Sequence, residues 1–109
     1  MIPAGVDIFV GLDPIDLRWG FERLSGVVTE RLGRRPRDGA LFVFFGKRRA
    51  AVKILYFDGS GLCIFYKRLD RGTFRLPRSL DEHSRSVEIE PRMLEDLLDG
   101  VDVELPTRH

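Results

Sequence analysis

Two runs of mostly apolar residues, Val-Lys-Ile-Leu-Tyr-Phe at 52–57 and Leu-Cys-Ile-Phe-Tyr-Lys-Arg-Leu at 62–69, flank the tetrapeptide Asp58-Gly59-Ser60-Gly61. β-branched and aromatic residues on either side of a Gly-Ser pair predict a hairpin closed by a type II′ turn. Asp58 then faces Gly61 and Phe57 faces Leu62, down to Ala51 opposite Arg68. Alternation sorts the side chains onto two faces. Val52, Ile54, Tyr56 and Phe65 share one, which should lie under a helix. Leu55, Phe57, Leu62 and Ile64 share the other with Lys53, Tyr66 and Arg68. That second face is too apolar to stay in water, so the C-terminal segment or a partner should cover it.

The other elements follow from the same kind of pattern. Residues 6–10 read as a short strand ended by Gly11. Asp13 followed by Pro14 looks like a helix start, with Ile15, Leu17, Phe21, Leu24, Val28 and Leu32 as its apolar stripe and Gly33 as its stop. Gly20 and Gly26 each weaken that helix by about 1 kcal/mol relative to Ala and suggest a close neighbour. Residues 41–45 predict a strand and Gly-Lys-Arg-Arg at 46–49 a turn. A further strand is expected at 73–76, stopped by Pro77. Residues 86–90 predict a short strand and 91–98 a short helix ended by Gly100. The fold class is α+β: an antiparallel meander of about four to five strands, covered on one face by the N-terminal amphipathic helix, plus a short C-terminal helix. A chain of 109 residues is one domain, taken as 1–105, with 106–109 as a tail.

Charge changes this picture, because the formal net charge of +1 is unevenly laid out. Residues 1–30 carry two Arg against five Asp or Glu, net −3; residues 31–78 carry thirteen Lys or Arg against three Asp, net +10. Residues 79–109 carry three Arg against nine Asp or Glu, net −6. A basic middle suits a polyanion or an acidic partner; the competing expectation is that the acidic stretch 88–102 folds back and neutralises it. Lys47, Arg48 and Arg49 should meet Lys67, Arg68 and Arg75 at the hairpin base. Like charges facing one another across strands are unfavourable unless an anion lies between them. The remaining basic candidates are Arg34, Arg35, Arg37, Lys53 and Arg71. Trp19, off the apolar stripe among Arg18, Glu22 and Arg23, is either a rim residue of the core or an anchor for a partner.

Candidate chemistry is sparse. Two His and one Cys give no metal-ligand spacing, so no metal and no cofactor is expected. Cys63 falls mid-strand on the predicted core face. Ser60 lies in a turn without a nucleophile-elbow pattern. The acidic residues are explained by caps, turns and a solvated helix face, and no set of three remains for a two-metal site. The chain reads as a non-enzyme. No run is long enough to span a membrane and no secretory leader is visible, which makes a cytoplasmic protein the expectation.

Several motifs together resemble a known family. Met-Ile-Pro at the start, Asp-Leu-Arg-Trp-Gly-Phe at 16–21, Phe-Phe-Gly-Lys-Arg-Arg at 44–49, Lys-Ile-Leu-Tyr-Phe-Asp-Gly-Ser-Gly at 53–61 and Lys-Arg-Leu-Asp-Arg-Gly-Thr-Phe at 67–74 are similar to the small Orf2-like (TnpB) accessory protein of the bacterial insertion-sequence sixty-six family. The resemblance covers about residues 1–105. Leu17 and Trp19 depart from it, standing where the family pattern often has Met and Lys. The resemblance implies an auxiliary role in DNA transposition beside a separate, catalytic transposase. Two readings follow. In one, the basic hairpin base binds DNA backbone without strong sequence preference. In the other, the chain docks on the transposase or on itself, as a homodimer, without direct DNA contact.

Overall fold

The computed structural model describes residues 5–78, 81 and 83–100. The opening Met-Ile-Pro, Asp102 and the tail at 106–109 lie outside those residues. Along the described chain run β1 (Ile8–Gly11), α1 (Phe21–Leu32), β2 (Leu41–Phe45), β3 (Ala51–Phe57), β4 (Leu62–Arg68), β5 (Ser86–Ile89) and α2 (Pro91–Leu98). The strands form one sheet in the order β4-β3-β2-β1-β5.

The hairpin β3–β4 has the register its turn dictates, with Phe57 opposite Leu62 and Ala51 opposite Arg68. Asp58 closes it, its carboxylate accepting from the backbone N–H groups of Ser60 and Gly61, each at 2.9 Å. β2 joins β3 antiparallel, as expected. The sheet as a whole is mixed, however, and not an antiparallel meander. β1 pairs parallel with β2, Ile8 opposite Leu41, and antiparallel with β5, Ile8 opposite Ile89. Parallel neighbours need a crossover, and α1 supplies it. Ile8, Phe9 and Val10 are buried in succession, as befits a strand with neighbours on both edges and cover on both faces. Residues 73–76 form no strand; after β4 the chain turns back and Phe74 packs its ring 5.4 Å from that of Phe45.

α1 begins at Phe21, later than the Asp13-Pro14 signal indicated. The intervening segment stays extended: the Ile15 N–H donates to the Phe45 carbonyl at 2.9 Å, and Ile15 bridges in parallel to Gly46. Asp16 then diverts the chain into a turn. Its carboxylate accepts from the Arg18 backbone N–H at 2.9 Å and from the Arg18 guanidinium, an alternative to the helical ladder. Gly33 ends α1 with φ 65°, a left-handed conformation that Gly adopts without a Cβ penalty. A Cβ at Gly20 or Gly26 would meet nothing within 4 Å, so neither glycine marks the close neighbour expected of it.

Two cores lie on opposite faces of the sheet. Leu24, Val27 and Val28 of α1 pack with Phe9, Phe42, Phe44 and Leu55, and Leu62 and Ile64 border this cluster. Leu94 and Leu97 of α2 pack with Ile8, Val10, Val43, Val52, Ile54 and Phe74. The expected assignment of helix to face is therefore reversed: Val52 and Ile54 lie under α2, whereas α1 takes the face of Leu55, Leu62 and Ile64. Both hairpin faces are apolar, so alternation along the strands does not label them. The crossover through α1 does. Phe65, expected in the core, is 42% exposed.

Candidate nucleic-acid interface

The turn between β2 and β3 sits at the same end of the sheet as the end of β4, because Ala51 pairs with Arg68. Its shape is tightly specified. The Arg49 N–H donates to the Gly46 carbonyl at 3.0 Å, and the Gly46 N–H to the Ala51 carbonyl at 3.3 Å. Arg49 takes φ 58°, unusual for a residue with a side chain, and its carbonyl accepts from the Phe74 N–H at 2.7 Å. Leu17 closes over Gly46 from the extended segment, so near that an added Cβ would lie 2.8 Å from its Cδ1.

These elements enclose a concavity of about 240 Å³ lined by Ile15, Leu17, Gly46, Lys47, Arg48, Arg49, Ala50, Ala51 and Arg68. Four of its lining side chains are cationic and none is acidic. Lys47, Arg48 and Arg49 are exposed, and among the described residues no carboxylate forms an ion pair with them. The described acids of the stretch 88–100, Glu88, Glu90, Glu95, Asp96 and Asp99, make no ion pair with this turn either. The walls are apolar at Ile15 and Leu17, and Gly46 and Ala50 complete the lining. The chemistry of this lining suits an oxyanion at the cationic rim and a less polar group at the walls.

The other predicted residues are dispersed. Lys67 projects on the α2 face, and its Nζ donates to the Leu98 carbonyl at 2.7 Å, a cation at a helix C-terminus. Lys53 is half-buried; its Nζ donates to the Trp19 carbonyl at 2.9 Å and lies 5.2 Å from the Tyr66 ring centre. Both lysines serve the fold. Arg68 donates to the Tyr66 hydroxyl at 3.1 Å and remains at the concavity. Arg75 follows Phe74 and so lies in chain beside the turn, but not across a strand from Lys67 or Arg68, because residues 73–76 are not paired in the sheet. Arg71 is exposed in the turn after β4. Arg34, Arg35 and Arg37 belong to the 33–39 loop that leads into Leu41, the opposite end of β2 from Gly46, and Arg34 stacks 3.9 Å from the Phe9 ring centre. The single basic stretch of the sequence thus divides between two ends of the sheet.

Trp19 is half-buried beside the α1 core, with the guanidinium of Arg23 4.6 Å and that of Arg31 5.6 Å from its ring centre. It is a rim residue. Ile15 and Leu17, read from the sequence as helix stripe, are the walls that sequence reasoning missed. Gly46 was the available signal, a glycine at a strand end where another chain segment approaches.

Elsewhere chemistry stays muted. Burial pushes the Cys63 thiol above its ordinary value, with the Asp58 carboxylate adding to the effect, so the thiolate that would react is disfavoured. Among the described residues no three His, Cys, Asp or Glu side chains gather as a metal site, and no helix is long and apolar enough to cross a membrane.

The geometry defines a small mixed-sheet protein with an exposed cationic turn that forms no ion pair among the described residues. The chain belongs to the IS66 Orf2-like protein family, which matches residues 6–108. It is 39% identical over 104 residues to y4hO, an uncharacterized protein of Sinorhizobium fredii (strain NBRC 101917 / NGR234), covering 94% of this chain and 88% of that one. It is 33% identical over 98 residues to y4jC, also an uncharacterized protein of that organism, covering 90% and 81%. No solved structure matches it. The family places the chain among proteins associated with transposition of an insertion sequence.

Proposed function

We propose that this protein is a non-catalytic transposition accessory that grips DNA backbone at the concavity between the 46–50 turn and the end of β4. The observation that supports this most is the lining of that concavity, four cations and no acidic residue, on a turn held by three backbone hydrogen bonds and by the packing of Leu17 on Gly46. A rigid cationic rim meets phosphate without first losing loop entropy. Contact to phosphate and sugar positions the protein and reads no sequence, so binding to random duplex DNA is the activity to measure.

Each phosphate neutralised releases counterions and adds about 0.9 to the slope of log affinity against log salt. The unmodified chain should bind random duplex at low salt and lose it steeply as salt rises. Changing Arg48 and Arg49 together to Glu should abolish that binding while the unfolding midpoint holds, since both side chains are exposed. Retained DNA binding by a folded R48E/R49E variant would sink the proposal. A chain that ignores DNA but is retained by the transposase of its element would support the docking reading. That reading has its own observation, an open apolar groove of about 520 Å³ beside α2.

A further inference from the structure

β4 is the outermost strand on its side, and among the described residues no strand pairs with its free edge. Edge strands of soluble proteins are usually blunted by charge, proline or a bulge. Here Leu62, Cys63, Ile64, Phe65 and Tyr66 run uncharged through the middle of the strand. Phe65 and Tyr66, 42% and 49% exposed, are adjacent on it and are two of the three large hydrophobic residues left exposed among those described.

The bonds on the inner side fix what the outer side offers. Asp58 N–H donates to the Gly61 carbonyl at 3.0 Å, and Leu69 N–H to the Ala50 carbonyl at 2.9 Å. In an antiparallel ladder, bonded and non-bonded pairs alternate. The odd residues of β4 therefore bond inward to β3, and Leu62, Ile64, Tyr66 and Arg68 aim their N–H and C=O groups outward.

We propose that this edge pairs with the same edge of a second copy, antiparallel, about a two-fold axis at Phe65. Leu62 of one copy then bonds with Arg68 of the other and Ile64 with Tyr66, which uses every outward group of the strand. Phe65 meets its own symmetry mate in the central non-bonded pair, where side chains stand closest. Charge selects this direction. Antiparallel pairing carries Lys67 and Arg68 of each copy to the far end of the other strand, next to the turn that holds the Asp58 carboxylate. Parallel pairing would stack the cations of both copies on one another. Phe65 also lines the apolar groove with Ile54, Tyr56 and Leu98, so the two grooves would become one across the axis. The result is a two-fold isologous dimer with a continuous ten-stranded sheet.

The register is what the experiment reads. In a Cys63→Ser background, Phe65→Cys should form a disulfide-linked dimer under mild oxidation, its two thiols meeting at the axis. Native Cys63 should not, because four residues along the strands part it from its mate by about 14 Å, beyond the reach of a disulfide. Sedimentation of the unmodified chain should show a dimer that Phe65→Lys, with like charges face to face, weakens tenfold or more while circular dichroism stays unchanged. Three results would overturn the proposal: a monomer at every micromolar concentration, crosslinking through Cys63 in place of position 65, or strand pairing that appears only with the transposase present. None of these readouts involves DNA, so the dimer and the backbone-binding reading stand or fall separately.

Discussion

Phe21 is 49% exposed although it falls on the same apolar period as Leu24 and Val28, which are fully buried. It opens α1, and the stripe that meets the sheet is Leu24, Val27 and Val28. Phe21→Ala should accordingly change the unfolding free energy by no more than about 1 kcal/mol, whereas Leu24→Ala should cost about 2–5 kcal/mol in denaturant titration. A second residue-scale expectation concerns acid. The backbone N–H groups of Ser60 and Gly61 hold the Asp58 carboxyl at about 2, and the Arg18 guanidinium and backbone N–H hold Asp16 at about 2, both below the ordinary 3.8. A carboxyl whose folded pKa is depressed contributes stability above its unfolded value and loses it as the pH falls through the folded one. Thermal midpoints should therefore drop between pH 3.8 and about 2, and the drop should be smaller in Asp58→Asn, which keeps the acceptor oxygen but does not titrate. An unchanged acid profile in that variant would mean that the turn does not couple to stability.

At the scale of elements, two contacts hold pieces together that the sequence pattern did not connect. Gly11, at the end of β1, lies so close to Phe44 of β2 that an added Cβ would stand 2.8 Å from its ring. Gly11→Ala should destabilise by about 1–3 kcal/mol, and Phe44→Leu should recover part of that loss, since it clears the ring edge. Lys67 ties β4 to the last turn of α2 through the Leu98 carbonyl. Lys67→Met should cost about 1 kcal/mol and leave the salt slope of DNA binding as it was, unlike a change at Arg48. The elements themselves were mostly legible. The Gly59-Ser60 turn sets the register of β3 and β4, and Pro91 with Leu94, Leu97 and Leu98 announces α2. The start of α1 was not, because Asp13-Pro14 and Asp16 carry the same residue types that cap helices and make turns. What decides between them is the backbone partner at Phe45, remote in sequence.

At the scale of the molecule, helices on both faces give two cores separated by the sheet. Leu24→Ala and Leu94→Ala share no buried neighbour, so a double-mutant cycle should find their costs additive within about 0.5 kcal/mol. A larger coupling would show that the sheet transmits packing strain from one face to the other. The candidate site was half legible. Local spacing placed Lys47, Arg48, Arg49 and Arg68 together, because hairpin register is a short-range property. It could not place Lys53 and Lys67, whose partners are a backbone carbonyl at Trp19 and one at Leu98. Nor could it show that the basic loop at 33–39 lies at the far end of β2.

The position of β1 bears on how the chain assembles as it is made. It leaves the ribosome before the other described strands, yet Ile8 must wait for Leu41 on one edge and for Ile89 on the other. Strands β2, β3 and β4 close on their sequence neighbours and need no such delay. Loop closure penalises the distant pairings most. A nascent chain halted before residue 41 therefore carries Ile8, Phe9 and Val10 with no ladder partner, and Ile8 and Val10 also lack the face that α2 will cover. Such a segment is a natural client for a chaperone at the exit tunnel, and the first of the described strands to be synthesised is the one whose place in the sheet is completed last.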